Sequence, residues 1–280
     1  DDTKFSSVID VQAPFYWMVI GESALNAKNF DEAMGAEEGM EYEETGFLFA
    51  QNNEDFPGFA IYQEGTGKYQ FEVDMYYNAE DEEYPVYTIS PAFDNLWTPG
   101  NSNGWSHDNS NMLFTSDYVT YTGYAYLNGS FKFSNAADWN HTNYGTTGTE
   151  GELSTNGGAG NLETAEGVYW ASVNIPNLTY TLVKIETIGL IGGFNGWGSS
   201  LPMTAQINGP KDLKYVGEVT LKAGEEFKFR ANDGWDINLG GTLGNLAPNG
   251  ANITVAEAGT YIITLDLSDA ANLKATMTKK

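Results

Sequence analysis

The chain of 280 residues is long enough for two or three domains, and its 41% hydrophobic and 14% aromatic residues are typical of packed cores rather than of a disordered chain. Its formal net charge of −25, from 13 basic and 38 acidic residues, disfavours nucleic acid and anionic lipid headgroups as partners. Cysteine is absent from the sequence, which excludes disulfides, thiolate metal sites and cysteine nucleophiles. A neutral ligand fits this composition, and so does a cationic one.

The sequence starts at Asp1, with neither an initiator methionine nor a signal peptide. We therefore expect a mature or trimmed form of a secreted bacterial protein, with any lipid anchor upstream. No apolar run approaches the roughly 18 residues of a membrane-spanning helix, so we expect contact with a membrane only through such an anchor.

Residues 1–89, here called module one, are predicted to form a degenerate β-sandwich. The segment GTGKYQFEVDM at 65–75 alternates apolar and polar residues, as a strand with one buried face does. FYWMVIGE at 15–22 is a candidate opening strand, and a weak helix is predicted at 26–38. A separate aromatic site in this module would draw on Phe47, Phe49, Phe56 and Phe59.

Residues 90–187 and 188–280, here called module two and module three, are predicted to be two copies of one unit. The nonapeptides FKFSNAADW at 131–139 and FKFRANDGW at 227–235 share Phe, Lys, Phe and Trp at the same offsets. Further matches run in the same order along both modules: Asn-Gly-Trp at 103–105 and 195–197, NYG at 143–145 and NLG at 238–240, and GNLETAEGVYWASVNI at 160–175 and ANITVAEAGTYIITLDL at 251–267. A series of this length indicates an internal duplication.

The strands of all three modules are short and alternate with period two, between turns rich in Gly, Asn and Pro. This pattern predicts an all-β fold of tandem antiparallel β-sandwich domains of the immunoglobulin-like type. LNGS at 127–130 predicts a hairpin turn between two strands. The joins at 88–95 and 184–189 are short, which predicts a semi-rigid string of modules.

The repeated FKFR segment places aromatic and basic residues on opposite faces of a strand. Phe227 and Phe229 are assigned to the core. Lys228 and Arg230 then lie on the opposite, wet face, and Trp235 follows a glycine-containing turn. A pyranose packs its apolar C–H face on an aromatic ring, and its hydroxyls bind Lys, Arg, Asn or Asp, so each module has the parts of a sugar site. A structural role is equally open, with the tryptophans covering the core and the lysines adding solubility.

In this order the motifs resemble the carbohydrate-binding modules of the SusE/SusF-type starch-binding surface lipoproteins of Bacteroidetes. They also resemble the glycogen-binding module of the AMP-activated kinase regulatory subunit. The resemblance covers about residues 90–280, and it implies non-catalytic binding of starch or a related α-glucan at two sites, without a cofactor. The implied sugar-contacting residues are Trp197, Lys228, Arg230, Trp235 and Asn252 in module three, and Trp105, Lys132, Trp139 and Asn161 in module two.

The resemblance also implies a role for each of these residues. The tryptophans stack on sugar rings, the lysines bond glucose hydroxyls, the asparagines contact the sugar, and Arg230 is an extra donor. Ser134 stands at the equivalent of Arg230, which implies a weaker site in module two. Module one matches none of the positions, and the family implies a spacer function for it. The family further implies an outward-facing outer-membrane lipoprotein of polysaccharide utilisation that serves a porin and its surface receptor.

Two other functions stay open on the residues alone. A glycoside hydrolase needs two carboxylates across a cleft. No acid recurs beside the tryptophans, because Asp233 corresponds to Ala137. Likewise, Asp236 corresponds to Asn140. A structural or adhesive stalk with a protein partner would use Trp170, an outward aromatic, at a module interface or a partner patch. The glycan is open between α-glucan and xylan, mannan, fructan or host glycans.

Metal and phosphate chemistry find no support in the sequence. His107 and His141 lie in polar loops without the spacing of a zinc site or a catalytic triad. The glycine-rich segment at 154–161 lacks the Lys-Ser/Thr ending of a phosphate loop and is interpreted as a turn. The acidic runs at 36–44 and 78–85 lack the ligand spacing of a calcium loop, so we interpret them as solvated surface.

Overall fold

A computed structural model describes residues 3–12, 14–37, 45–55, 57–63, 67–78 and 83–280 of the chain. The chain forms two compact units, residues 1–93 and 94–280, and each is built from antiparallel strands. The predicted all-β fold of antiparallel β-sandwiches is confirmed. The finer division into modules at 89/90 and 187/188 stays a prediction.

The first unit contains one four-stranded sheet and two short strand pairs. Its strands are β1 (Lys4–Val11), β2 (Phe15–Trp17), β3 (Met34–Gly35), β4 (Thr45–Phe47), β5 (Phe49–Ala50), β6 (Ile61–Gln63), β7 (Gly67–Asp74) and β8 (Val86–Pro91). The sheet has the order β1-β7-β8-β4, and the pairs are β2–β6 and β3–β5. Trp17 packs edge-on against Phe71 and Tyr87, with ring centroids 5.1 and 5.3 Å apart, so aromatic residues of β2, β7 and β8 meet in this core.

In the described residues of the first unit, the helical content is a short α-helix, α1 (Glu22–Ala27), and a 3₁₀ helix at Phe30–Glu32. The predicted helix at 26–38 is therefore wrong in position. The α-helix ends before Lys28, whose φ of 55° is left-handed and whose N–H closes the last turn. In the part of the chain that the structure describes, no helix is long and apolar enough to cross a membrane.

The sequence features of module one are only partly covered by the structure. Residues 38–44 of the first acidic run and 79–82 of the second, together with Phe56, lie outside the described residues. Phe49 is buried, whereas Phe47 is 51% exposed and Phe59 is 39% exposed. Of the described candidates for a separate aromatic site in this module, only Phe47 and Phe59 are accessible to a ligand, and such a site stays a hypothesis.

The first half of the second unit forms an eight-stranded sheet with the order β14-β13-β12-β9-β10-β11-β15-β16. Its strands are β9 (Asn95–Trp97), β10 (Met112–Phe114), β11 (Thr120–Phe131), β12 (Phe133–Ser134), β13 (Asn143–Thr146), β14 (Leu153–Ser154), β15 (Leu162–Asn174) and β16 (Thr179–Lys184). A 3₁₀ helix at Asn101–Asn103 follows β9. Phe131 and Phe133 are fully buried and pack edge-on with centroids 5.4 Å apart, as the assignment of the FKF aromatics to the core requires.

The predicted hairpin at 127–130 is wrong. β11 continues through Asn128 and Gly129 to Phe131 as one strand, paired along its length with β15. The register between the two strands shifts by one residue between Leu127 and Gly129, where Gly129 takes a left-handed φ of 72°. The Asn-Gly pair thus lies at a β-bulge and not in a hairpin turn, because the segments on both sides of it pair with β15.

The second half of this unit is a sandwich of two sheets. Its strands are β17 (Ile188–Gly192), β18 (Leu201–Pro202), β19 (Thr204–Ile207), β20 (Leu213–Leu221), β21 (Glu226–Ala231), β22 (Asn238–Thr242), β23 (Asn245–Pro248), β24 (Ile253–Thr254), β25 (Gly259–Asp266) and β26 (Lys274–Lys279). One sheet has the order β18-β17-β21-β22-β23, with β24 also paired to β21, and the other has the order β19-β20-β25-β26. Phe227 and Phe229 of the first sheet share a core with Ile263 and Leu265 of the second, which explains the period-two pattern of β21 and β25.

The two halves of the second unit share part of this core. Tyr124 and Val168 of module two belong to the apolar cluster of module three, and Trp170 packs on Tyr124 with centroids 4.9 Å apart. Trp170 therefore lies at the contact between the modules. Asn111 Nδ2 donates a hydrogen bond of 2.6 Å to Pro210 O across the same contact. Modules two and three are accordingly packed together, as their short join predicts.

Candidate functional sites

Each Asn-Gly-Trp motif is a tight turn that is locked by its asparagine. Asn103 Oδ1 accepts a hydrogen bond of 3.0 Å from Gly100 N, and Asn195 Oδ1 accepts one of 2.9 Å from Gly192 N. A Cβ on Gly100 or Gly192 would lie 2.6 or 2.4 Å from a carbonyl oxygen of the neighbouring FKF strand, so only glycine fits there. The turn and the strand are thereby held in contact in both modules.

The tryptophan of each turn has an unusual backbone conformation. Trp105 and Trp197 have φ of 63° and 58°, in the left-handed region that bulky residues rarely adopt. Gly104 and Gly196 before them share a φ of 64°. Strain of this kind costs on the order of 1–3 kcal/mol and is concentrated at functional sites. The duplicated turn thus presents a large aromatic side chain at an energetic cost.

The two predicted tryptophans of each module lie side by side. The ring centroids of Trp105 and Trp139 are 6.0 Å apart at an interplanar angle of 45°, and those of Trp197 and Trp235 are 6.3 Å apart at 31°. Trp139 is 48% exposed and Trp235 is 47% exposed. We call these arrangements the 105/139 pair and the 197/235 pair. Each pair forms a bent aromatic surface on which the second ring, Trp139 or Trp235, is exposed to solvent.

Arg230 lies behind the 197/235 pair, and the prediction that it is on a wet face is wrong, because it is only 4% exposed. Its Nε donates to Ser200 Oγ and its Nη2 to Gly198 O, each at 2.6 Å. Nη2 also bonds the carboxylate of Asp233, and the guanidinium carbon lies 5.0 Å from the Trp235 ring centroid. These contacts tie the turn that carries one ring to the loop that carries the other, so Arg230 acts as a support.

Lys228 is also buried, at 9% exposure, rather than wet as predicted. It pairs with Ile191 on β17, the strand that leads into the Trp197 turn. Its ammonium group has no hydrogen-bond or ion-pair partner in the described part of the chain, and burial lowers its pKa. Extending the register of β24 with β21 by one residue places Asn252 opposite Lys228. Asn252 Nδ2 donates a hydrogen bond of 3.0 Å to Glu226 Oε2.

The equivalent residues of module two differ from those of module three in burial and in hydrogen bonding. Lys132 is half-buried, and its Nζ donates a hydrogen bond of 2.8 Å to Ala159 O. Extending the register of β11 with β15 by one residue sets the exposed Asn161 opposite Lys132. Ser134, at the arginine position, is fully buried and donates to Ala136 O at 2.8 Å. The lysine donor is thus already engaged in module two, and no cation lies at the arginine position there.

His107 is part of the 105/139 pair, although the sequence placed it in a polar loop without a role. It is only 6% exposed, and its ring packs edge-on to Trp139 with centroids 4.6 Å apart. It follows Trp105 by two residues, where module three has Ser199. Because the duplicated copy has no histidine there, the repeat carried no signal of this contact.

Two acids beside the ring pairs, Asp233 and Asp138, are poorly suited to act as a general acid. The pKa of Asp233 is held below its ordinary value by hydrogen bonds from the Ser200 backbone and side chain and from Arg230. The pKa of Asp138 is lowered first by its hydrogen bond with His141. A glycosidase general acid needs a raised pKa, so neither carboxyl is prepared to donate a proton to a leaving group.

Comparison with known proteins shows a similarity to solved structures. No protein-family model matches the chain, and neither does any curated protein. Among solved structures, SusF from Bacteroides thetaiotaomicron superposes with a TM-score of 0.52 at 17% sequence identity. The match covers 99% of this chain and 66% of that one, so this chain spans slightly less than two thirds of the SusF length. At this identity the similarity concerns the fold, and the chain has a SusF-like fold.

Proposed function

We propose that the chain is a non-catalytic glycan-binding protein whose 105/139 and 197/235 pairs bind starch or a related α-glucan. The observation that carries this proposal is the presence of two tryptophan pairs at equivalent places, each with one ring about half exposed. Exposed neighbouring rings provide apolar faces on which the C–H faces of sugars pack. A core-covering role alone would not require both copies to hold a tryptophan in a left-handed turn.

The polar groups around the 197/235 pair supply the other half of a sugar site. The ammonium group of Lys228 has no partner in the described residues, so it is available to a sugar hydroxyl. Asn252 lies opposite it in the extended register and adds an amide. The net charge of −25 favours a neutral polysaccharide over an anionic one.

The choice of α-glucan rests on shape and on the sequence resemblance. The rings are tilted by 31° and 45°, which suits the curve of a helical α-glucan, whereas flat rings in line suit cellulose. The resemblance to starch-binding modules points the same way. Each site alone is expected to bind with a Kd of about 10 μM to 1 mM, and two sites on one polymer gain through effective concentration.

The cellular setting is proposed from the resemblance and the SusF-like fold together. In this setting the chain is a surface-exposed outer-membrane lipoprotein that works beside a porin and its receptor. Module one, without the paired tryptophans, spaces the binding modules from the membrane. Cleavage of the protein by a protease added to intact cells would support surface exposure, and protection until lysis would contradict it.

Affinity electrophoresis in a panel of neutral polysaccharides tests the binding function. We expect retardation in amylopectin or glycogen, reduced in Trp197→Ala/Trp235→Ala and in Trp105→Ala/Trp139→Ala, and lost when the two are combined. Retardation only in another glycan would keep the binding class and overturn the α-glucan assignment. No retardation in any gel would favour the structural stalk, in which the four tryptophans only cover their cores.

A further inference from the structure

We propose that His107 is the positioning residue for Trp139 and that it supports the 105/139 pair only as the neutral imidazole. Glycan binding by module two then weakens on acidification, while binding by module three does not. This inference rests on the proposed function, because it concerns the same two sites. It assigns a role to a residue that neither the repeat nor the resemblance identifies.

The first basis is the packing of the His107 ring. The ring is nearly enclosed, with 6% exposure, and stands edge-on to Trp139 at a centroid distance of 4.6 Å and an angle of 69°. Its Nε2 is buried and has no hydrogen-bond partner in the described residues. A ring in this setting packs while neutral, whereas its charged form would bury an N–H⁺ without a hydrogen-bond partner.

The loop that carries His107 is fixed by the residues that follow it. Ser110 Oγ donates to His107 O at 2.8 Å, which closes the loop on itself. Asn111 Nδ2 bonds Pro210 O at 2.6 Å, which anchors the same loop to module three. The imidazole is therefore held against Trp139 by its backbone, and a move of the ring removes that contact.

The equivalent support in module three has a permanent charge. There the guanidinium of Arg230 contacts Trp235 and is paired with Asp233. An arginine stays protonated over the whole range in which a histidine titrates. The two copies of the platform thus rest on groups that respond differently to pH.

The charged groups around His107 are few. Asp108 is the next residue, and Asp138 precedes Trp139. Asp138 is already paired with His141, whose Nδ1 lies 2.8 Å from its carboxylate. Lys211 of module three interacts electrostatically with Asp108. The two carboxylates favour the imidazolium, but neither of them bonds the buried Nε2.

The direction of the pH effect follows from burial. Desolvation lowers the pKa of His107 below its ordinary 6.5, against the opposing pull of Asp138 and Asp108. Because the pKa is lowered in the folded protein, the support is present above pH 6.5. It is lost as the pH falls through the lowered folded-state value. Affinity at the 105/139 pair should therefore fall as the pH is lowered below 6.5.

The test uses the full chain with Trp197→Ala/Trp235→Ala, so that only module two can bind. Titration calorimetry with maltoheptaose at about pH 7.5 and about pH 5 should show the loss. His107→Phe keeps an aromatic ring without a titrating group, so it should bind somewhat less tightly and with little pH dependence. His141→Gln removes the other histidine and should retain the loss at low pH. A loss that persists in His107→Phe, or disappears in His141→Gln, would overturn the proposal.

A second measurement does not depend on glycan. NMR titration of the unliganded protein should show the His107 ring and the Trp139 indole N–H changing together, with a midpoint below pH 6.5. A His107 midpoint at or above 6.5, or a Trp139 signal indifferent to it, would contradict the positioning role. If module two binds no glycan at any pH while this coupled titration is present, the proposed function fails and the His107–Trp139 coupling stands.

Discussion

The 197/235 and 105/139 pairs have nearly the same ring separation, 6.3 and 6.0 Å, although the groups behind them differ. The parts that the sequence repeats, the Asn-Gly-Trp turn and the FKF strand, set where the rings lie. The parts that it does not repeat set the charge behind the rings, namely Arg230 in one copy and His107 in the other. Duplication has thus kept a geometry while its supports have diverged.

The two modules also differ at the lysine that occupies the same offset in both nonapeptides. Lys228 is buried without a partner in the described residues, whereas Lys132 spends its ammonium group on Ala159 O. The buried Lys228 ammonium group gains more from a sugar hydroxyl than that of Lys132, one of whose three N–H donors already has a partner. We therefore expect module three to contain the stronger of the two sites.

The largest effect is expected where the modules are alike. Phe131→Ala and Phe227→Ala each remove a fully buried ring, so each should lower the free energy of unfolding by about 3–5 kcal/mol. Urea unfolding measures both. A loss below about 1 kcal/mol in only one of them would show that the two FKF strands do not play the same part in their cores.

Removing the arginine support should affect module three alone. Arg230→Ala deletes the contacts to Ser200, Gly198 and Asp233, so maltoheptaose affinity should fall about tenfold in a Trp105→Ala/Trp139→Ala background. Ser134→Ala is the matched change in module two, tested with Trp197→Ala/Trp235→Ala, and should alter affinity less than about twofold. Equal losses would mean that the guanidinium has no special role.

Substitution of the two lysines should affect glycan affinity in module three and protein stability in module two. Lys228→Met keeps an unbranched side chain of similar length but removes the unpaired donor. The affinity for maltoheptaose should therefore fall about fivefold with no loss of stability. Lys132→Met should have little effect on affinity and should lower the free energy of unfolding by about 1 kcal/mol, because a hydrogen bond to Ala159 is lost. Calorimetry and urea unfolding of both variants check this, and the reverse pattern would refute it.

The smallest effect concerns Asp233, which has no counterpart in module two. Its pKa is lowered from 3.8, so its stabilisation is present above that value and is lost as the pH falls through the lower folded-state pKa. Asp233→Asn should lower the thermal midpoint slightly at about pH 7, and its difference from the parent should shrink as the pH falls below 3.8. A difference that is unchanged at acidic pH would rule out the ionised carboxylate as its cause.

The fold and the ring pairs could be predicted because they follow from local patterns. Alternation in β21 and β25 identified the core faces, and the repeat of Asn-Gly-Trp identified the tight turns. The burial of Lys228 and Arg230 was missed, because alternation tells which face a side chain occupies but not what covers that face. Arg230 is covered by the two tryptophan loops, which are distant in sequence from each other.

Other errors have a similar origin. The Asn128–Gly129 pair satisfies a hairpin pattern, yet both flanking segments pair with β15, a long-range partner that the local pattern does not contain. The contact of His107 with Trp139 joins residues 32 positions apart in a loop with no periodic pattern. Sequence reasoning was thus reliable within one strand or turn and failed where a distant segment decides the environment.

The central claim is that the chain contains two independent glycan sites, one on each tryptophan pair. Titration calorimetry with maltoheptaose tests it most directly, because it counts sites. We expect about two bound per chain in the parent, about one in Trp197→Ala/Trp235→Ala and in Trp105→Ala/Trp139→Ala, and none when they are combined. A parent that binds no maltoheptaose, or a stoichiometry unchanged in the double variants, would contradict the assignment.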